Sequence, residues 1–382
     1  MKSNFSFQIY SSTQELPTKW DVLAAKNIFL SRDYLKILET APPKNMKCHF
    51  IGLFHDQNLV GLAISQFINL SEVQSFGERD NCLKTKIRNF VFKKFSSNVL
   101  VIGNNMLTGQ NGHCFSQELP VKEGVLLLKK AADKLHEIFT NEGIKTHLTI
   151  FKDFSHSEIQ NFKLAEFKSF FEFSTQPNMI FQIRDSWHTF DDYIQNKTKK
   201  YRDQYKRARK KADLISKRKL SLEEIKKYNT RIYELYMNVA KNAPFNTFYL
   251  PENHFEYFKN TLDGKFLFYG YFLEDELIGF NTLIKNGTDI DTYFLGYDEN
   301  FQREKMLYLN MLYDMIGYST NKGFKRIIFA RTALEIKSSV GAHPIKMYGL
   351  MKHSNPLINL ILPKAFYYFE PKTEWQERNP FK

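Results

Sequence analysis

The pattern of apolar and polar residues in the C-terminal half of the chain predicts an α/β unit. The runs Phe266–Leu273, Leu277–Ile284 and Ile290–Tyr297 are rich in aromatic and aliphatic residues, and short turns of acidic residues or Asn-Gly separate them. Apolar residues then recur at helical spacing from Met306 to Thr320, and a last apolar run, Arg326–Ala330, follows. We therefore expect a meander of three strands, a crossover helix and a further strand.

The chain contains this pattern twice. Phe268–Phe272 and Glu276–Gly279 align without a gap with Phe50–Phe54 and Asn58–Gly61. The third strand recurs as Leu100–Gly103, and the residues that end the helix recur in the same order. Three matches in one order are hard to obtain by chance, so we interpret the chain as two copies of one domain.

We expect an N-terminal domain of residues 1–175 and a C-terminal domain of residues 176–382, each with a mixed α/β (α+β) sheet. At 382 residues, 43% of them hydrophobic, the chain is long enough and apolar enough for two cores. Its apolar runs are too short for a signal peptide or a membrane span. The three cysteines, Cys48, Cys82 and Cys114, lack metal-type or disulfide-type spacing, so we expect a cytoplasmic protein without a metal.

The net charge of +13 is concentrated in one segment. Between Lys197 and Lys219 twelve Lys or Arg residues stand against Asp203 and Asp213, which gives this segment a charge of about +10. Tyrosines recur within it at helical spacing, so we expect a basic helix over residues 192–219 of the C-terminal domain. Its partner could be a nucleotide or CoA phosphate, a tRNA or an anionic membrane surface, and a solvated face is the alternative.

Two loops are candidates for binding an anionic donor. Gln302, Arg303 and Lys305 precede the predicted C-terminal helix, whose N-terminus favours anions. In the first copy, the segment that begins at Asn104 and contains Gly109 is rich in glycine and amide residues, so its backbone N–H groups could face an anion. A long turn without a ligand is the alternative for this second loop.

Two groups of side chains are candidates for catalysis and substrate binding. Asp289, Asp291 and Tyr293 alternate along a strand and share one face, where Asp291 could accept or relay a proton with Tyr293 beside it. A polar strand edge that faces water is the alternative. Arg331 and Lys337, with Glu335 between them, follow the last strand, where open α/β sheets usually bind ligands. We place a substrate carboxylate or phosphate there, and a salt bridge to Glu335 is the alternative.

The predicted order of elements resembles the GNAT acyltransferase fold, and two such domains in tandem resemble the Fem-type aminoacyl transferases and related bacterial acetyltransferase-like domains. The motifs that carry this resemblance lie in the second copy. They are Phe190–Ile194 with Tyr201-Arg202 and Arg207–Lys211, and Ala330–Ala333 with Glu335, Lys337 and Gly341.

The resemblance implies an N-acyltransferase that moves an acyl group from a thioester of the acyl-CoA type to an amino group of a small molecule or a cell-envelope precursor. It also implies that Tyr348, in the closing strand, could protonate a leaving thiolate. GNAT enzymes that use acetyl-CoA usually carry a glycine-rich loop before the central helix, and residues 300–306 contain no glycine. One alternative is therefore aminoacyl transfer from tRNA to a peptidoglycan precursor. Another is a non-catalytic protein that binds an acidic surface, with a peripheral position at the inner membrane face.

Overall fold

The computed structural model describes residues 4–73, 94–243, 245–369 and 374–382. The chain divides into two compact units. The first comprises the described residues within Met1–Thr175, Pro244–Pro251 and Lys346–Lys372, and the second comprises those within Gln176–Ala243, Glu252–Ile345 and Thr373–Lys382.

The described residues form strands that alternate with helices along the chain. The strands are β1 (Phe5–Tyr10), β2 (Met46–His55), β3 (Asn58–Asn69), β4 (Asn98–Ile102), β5 (His113–Phe115), β6 (Leu148–Phe154), β7 (Phe171–Ser174), β8 (Asn178–Gln182), β9 (Ile215–Lys219), β10 (Phe266–Leu273), β11 (Glu276–Asn286), β12 (Asp289–Tyr297), β13 (Arg326–Ala330), β14 (His343–Ile345) and β15 (Tyr348–His353). The α-helices are α1 (Trp20–Ala24), α2 (Arg32–Thr40), α3 (Val121–Asn141), α4 (His156–Ile159), α5 (Phe190–Asn196), α6 (Lys199–Lys211), α7 (Leu222–Lys227), α8 (Asn229–Lys241), α9 (His254–Leu262), α10 (Glu299–Gln302), α11 (Leu307–Asn321), α12 (Leu334–Val340) and α13 (Pro356–Phe369).

The first unit contains a sheet with the strand order β1-β2-β3-β4-β6-β15-β7, in which β5 also pairs with β3. Its strands β4 and β6 are parallel, so the chain must cross over between them, and α3 makes this crossover. Val125, Leu128, Leu135 and Phe139 recur at helical spacing on α3 and are buried in the core of the unit. The helix ends before Gly143, whose φ of 76° lets the chain turn.

The second unit contains a sheet with the strand order β14-β8-β13-β12-β11-β10-β9. Strands β10, β11 and β12 form the predicted antiparallel meander, and β13 lies parallel to β12 after the crossover helix α11. Leu307, Met311, Leu312 and Ile316 of α11 are buried against this sheet. The predicted meander, crossover helix and last strand are therefore confirmed in both copies, with helix ends that differ from the predicted ones by a few residues.

The units are not contiguous pieces of the chain, which the expected division into residues 1–175 and 176–382 did not include. Strand β15 lies between β6 and β7 in the first sheet, and β8 lies between β13 and β14 in the second. Leu350 and Met351 are neighbours in β15 and both are buried, as expected for a central strand covered on both faces. Residues near the C-terminus thus complete the sheet of the N-terminal copy.

The basic segment 192–219 is not one helix, contrary to the prediction. The chain is extended at Lys197 and Thr198, which separates α5 from α6. Residues Ile215–Lys219 form β9 at the edge of the second sheet, paired with β10. Lys and Arg have good helix propensity, which favoured the prediction, but charged side chains are also typical of edge strands because they prevent further pairing.

Three further findings concern the expected absences. Cys48 and Cys114 are free thiols, and Cys82 lies outside the described residues. No described helix is both long enough and apolar enough to cross a membrane. Within the described ranges, no group of three or more His, Cys, Asp or Glu residues is placed to hold a metal ion.

Candidate functional site

Strand β12 has an edge that its neighbour covers only in part. Parallel pairing with β13 joins Asp289, Ile290 and Asp291 to the first three residues of β13. The Thr292 hydroxyl then donates to the backbone O of Ile328 at 2.9 Å. Beyond this contact no described strand pairs with this edge, although β12 continues to Tyr297. The two strands therefore separate at Thr292.

A β-bulge lies where the strands separate. Tyr293 and Phe294 together lie opposite the single residue Thr282 of β11, whose hydroxyl donates to the backbone O of Phe294 at 2.6 Å. A bulge changes the direction of nearby side chains. The ring of Tyr293 stacks on Phe258 of α9 at 4.8 Å, and Phe294 packs edge-on against Tyr236 of α8 at 5.7 Å. Both aromatic side chains therefore point to the face that α8 and α9 cover.

The Tyr293 hydroxyl contacts a buried histidine. His254, the first residue of α9, is fully buried, and its Nε2 lies 2.9 Å from the Tyr293 hydroxyl O. The two rings stack with their centroids 5.8 Å apart. A phenol hydrogen-bonded to an imidazole is a pair through which a proton can move.

Asp291 is a buried carboxyl on the same strand. Its neighbour Ile290 belongs to the core on the α11 side of the sheet, so strand alternation places Asp291 on the face of Tyr293. The carboxyl accepts a hydrogen bond from Asn286 Nδ2 at 3.3 Å, and burial raises its pKa to about 7. Asp289 instead forms two hydrogen bonds with the Arg326 guanidinium, at 3.0 and 2.6 Å. Only Asp291 is thus suited to exchange a proton near neutral pH.

The chain is strained where it leaves β13. Ala330, Thr332 and Ala333 have φ values of 58°, 70° and 46°, a region that non-glycine residues rarely adopt. Lys337 of α12 is buried, and its Nζ donates to the backbone O of Phe329, Ala330 and Arg331 at 2.6, 3.3 and 2.7 Å. Burial lowers the pKa of this amine to about 7. An ammonium has three protons, so the structure gives Lys337 a role in holding this loop rather than in contacting a substrate anion.

Arg331 and Glu335 have separate partners. Arg331 Nε donates to the backbone O of Gln176 at 3.1 Å. Glu335 is exposed and accepts a hydrogen bond from Arg378 Nε at 3.0 Å. The predicted binding set of Arg331, Glu335 and Lys337 therefore stays a prediction, and its three side chains each bond to a different group.

The loop before α11 is held by a buried asparagine. Asn310 Nδ2 donates to the backbone O of Lys305 at 3.3 Å and of Met306 at 3.1 Å. Met306 has a φ of 49°, a conformation that glycine adopts more easily. Gln302 ends α10, and Arg303 is exposed beside the N-terminus of α11. Of the three predicted cofactor-binding residues, Arg303 is thus the one best placed to meet an anion in solution.

The glycine-rich loop of the first unit lies elsewhere than before its helix. It connects β4 with β5, and β5 in turn precedes α3. Asn104 is buried and its Nδ2 donates to the Tyr34 hydroxyl at 2.8 Å. The backbone N of Asn105 donates to Gln66 Oε1 at 2.5 Å, and Gly109 accepts from the N of Asn111 at 2.9 Å. Side chains and carbonyls of the same unit thus occupy several of the N–H groups that were predicted to face an anion.

Tyr348 belongs to the first unit, whereas the prediction placed it in the closing strand of the C-terminal domain. It begins β15 and pairs with Phe154 of β6 and Ser174 of β7. Its ring lies 5.7 Å from that of His156. The correction follows from the sheet that β15 joins, which its sequence pattern does not specify.

Two features were missed by sequence reasoning. A lone histidine in a short helix gave no signal for His254, although its spacing of four residues from Phe258 is helical. The second feature is an ion pair between Arg209 of α6 and Asp314 of α11, 2.7 Å apart. Asp314 also accepts a hydrogen bond from the buried Tyr271 hydroxyl at 3.0 Å. Part of the basic segment is therefore structural.

Another lysine of the basic segment is buried as well. Lys197 is fully buried, its Nζ lies 4.6 Å from the centroid of the Tyr193 ring, and burial lowers its pKa to about 7. Most of the other basic residues of the segment are exposed. The exposed ones are Lys199, Lys200, Lys206, Arg207, Lys210, Lys211, Lys217, Arg218 and Lys219.

No protein-family model and no curated protein matches the sequence. Among solved structures, FemX matches at 11% identity over 96% of this chain and 100% of that chain, with a TM-score of 0.51. A tandem GNAT protein from the clavulanic acid biosynthesis pathway matches at 8% identity over 92% of this chain and 99% of that chain, with a TM-score of 0.49. L-PGS from Bacillus licheniformis matches at 11% identity over 89% and 97%, with a TM-score of 0.45.

At identities this low, a structural likeness shows the fold alone, and the two scores below 0.5 carry no argument. The match to FemX spans nearly all of both chains, and each unit repeats the meander, the crossover helix and the parallel strand. The chain therefore has the tandem GNAT-like fold of the Fem-type transferases.

Proposed function

We propose that the chain is an N-acyltransferase that moves an acyl group from an acyl-CoA type thioester to an amino group, in the second unit. The observation that carries the proposal is the uncovered edge of β12 after Thr292. An extended donor arm with amide groups pairs with such an edge as another strand would. The N-terminus of α11, with Arg303 exposed beside it, then meets the donor phosphates.

The reaction needs no covalent intermediate on the protein. The amine nitrogen attacks the thioester carbonyl carbon, the C–S bond breaks, and the amine loses a proton as the thiolate leaves. Asp291 is the proposed proton acceptor, since its pKa of about 7 keeps a large fraction ionised near neutral pH. The Tyr293–His254 pair is a second path for the proton. Backbone N–H groups along the uncovered edge supply hydrogen bonds to the developing oxyanion.

A second candidate is transfer from aminoacyl-tRNA to a peptidoglycan precursor. The exposed basic residues of α6 and β9 favour it, because a phosphate backbone needs many separated cations. The absence of glycine between Asn300 and Met306 favours it as well. In this case, RNA binding weakens steeply with salt, whereas CoA binding to a few groups does so less. Both candidates place the protein in the cytoplasm.

The donor is tested by thermal shift and calorimetry with CoA, acetyl-CoA and a long-chain acyl-CoA. We expect a thioester to stabilise the native protein, by about 2.7 kcal/mol at a hundredfold excess over its Kd. Arg303→Ala should weaken this effect, and Lys322→Ala at the other end of α11 is the matched control, since Lys322 is exposed too. Failure of every thioester to stabilise the protein, together with salt-sensitive RNA binding, would replace the CoA proposal with the tRNA one. Failure of both ligands would leave the non-catalytic binding protein.

A further inference from the structure

Helix α13 carries an apolar face that points into solvent. Leu357, Leu360, Ile361, Tyr367 and Tyr368 are 75, 78, 59, 56 and 62% exposed. Their spacing places them on one side of the helix. Soluble proteins rarely expose a contiguous stripe of large apolar side chains unless the stripe binds something.

The opposite face of α13 attaches the helix to the first unit. Leu362 is buried, and the ring of Phe366 packs against Phe171 and Phe173 of β7 at 5.9 and 5.3 Å. Asn359 Nδ2 donates to the backbone O of Ser169 at 2.9 Å. The helix is thus fixed with its second apolar face turned outward.

The charges around this face distinguish between the possible partners. Residues 346–369 contain three lysines and no Asp or Glu, and Lys364 is exposed between the apolar residues of the stripe. The acidic residue nearest in the adjoining strand β7 is Glu172, which alternates with Phe171 and Phe173 and so lies on the other side of the sheet. The whole chain carries a net charge of +13. An anionic surface therefore meets only cations on this side of the helix.

We propose that α13 docks the protein on an anionic lipid surface. Its 14 residues span about 21 Å, less than the roughly 30 Å of a bilayer core, so the helix lies in the plane of the interface. Leu357, Leu360 and Ile361 enter the boundary between head groups and acyl chains, and Lys364 meets the lipid phosphates. Tyr367 and Tyr368 take the head-group depth that tyrosines prefer. This surface is independent of the proposed transfer reaction.

Vesicle flotation of the full chain tests the proposal without any substrate. We expect the native protein to float with vesicles of phosphatidylglycerol and phosphatidylcholine, and to float less with phosphatidylcholine alone. The double variant Leu357→Glu and Leu360→Glu should lower the partition coefficient at least tenfold, because two carboxylates then face the lipid phosphates. Val22→Glu is the matched control, since Val22 of the same unit is also 75% exposed, and it should bind as the native protein does.

Three results would overturn the proposal. The first is a native protein that does not bind the anionic vesicles. The second is a double variant that binds them as well as the native protein, which would assign the binding to the basic residues elsewhere. The third is a native dimer in light scattering that the double variant converts to a monomer, which would make this face a contact between two copies. A single tryptophan change, Leu360→Trp, checks the depth, because its emission should shift to the blue on vesicle binding.

Discussion

The third strand of the repeat is interrupted at the same place in both units, but by very different lengths of chain. In the first unit, residues 103–112 separate β4 from β5, and Ile64 of β3 bonds both ends of this break. Its backbone O accepts from the N of Gly103 at 3.0 Å, and its N donates to the O of Gly112 at 2.9 Å. In the second unit, Thr282 of β11 lies opposite a break of only two residues.

A lysine stands near the break in each unit and bonds to different groups. Lys152 of β6 donates to the backbone O of Asn104 and of Leu107 at 2.9 and 3.0 Å, so it joins the long loop to the next strand. Lys337 bonds to carbonyls at the end of β13 itself. A ten-residue insertion thus supplies its own hydrogen-bond partners, whereas a two-residue bulge leaves an edge that a ligand can use. This difference supports placing the proposed chemistry in the second unit.

The largest effect is expected from changes at the two breaks themselves. Asp291→Asn and Tyr293→Phe should each lower turnover by about 10²–10⁴-fold, the range that a positioned proton-transfer group contributes. Tyr34→Phe, which removes the hydroxyl that Asn104 bonds in the first unit, should leave turnover unchanged. Release of free thiol from the thioester in the presence of an amine measures all three. Equal losses in the three variants would remove the functional distinction between the breaks.

The two lysines should differ in their effect on turnover and not on stability. Lys337→Met and Lys152→Met each leave backbone carbonyls without their donor, at a cost of about 2–4 kcal/mol of unfolding free energy. Only Lys337→Met should also lower turnover per folded molecule, because the end of β13 borders the uncovered edge of β12. Urea denaturation and the thiol-release assay measure the two quantities. A Lys152 variant that is as inactive as the Lys337 variant would contradict this.

How far the sequence predicted the structure also differs between features. Strand and helix periods identified the meander and the crossover helix in both copies, because these patterns follow from which side chains face the core. The same patterns say nothing about which sheet a strand joins, so β15 and Tyr348 were assigned to the wrong unit. Alternation alone brought Asp291 and Tyr293 together, whereas His254 comes from a helix distant in sequence, and no local pattern indicates that contact. The bonds of Lys337 to carbonyls likewise depend on a strained loop that its sequence does not specify.

The raised pKa of Asp291 makes stability depend on pH. Its carboxyl titrates near 7 in the folded protein and near 4 when unfolded, so between these values the folded state binds more protons. This contribution lowers the unfolding free energy as pH rises from 4 to 7, and it is constant above that. Asp291→Asn lacks it, so its stability relative to the native protein should increase by about 2–3 kcal/mol between pH 5 and pH 8. Denaturation of both proteins at the two pH values measures this, and a constant difference would show that the carboxyl titrates normally.

A smaller effect tests how the long loop fits into the first unit. A Cβ at Gly112 would lie 2.5 Å from the Cα of Gly103, so the two ends of the loop approach too closely for any side chain. Gly112→Ala must push these backbones apart and should cost about 1–3 kcal/mol of unfolding free energy. Gly264→Ala is the control, because a Cβ there meets nothing within 4 Å. Since the contact lies in the first unit, turnover of the folded Gly112 variant should stay at the native level. A variant with native stability would show that the loop ends can separate freely, and the contrast with the tight bulge of the second unit would then rest on loop length alone.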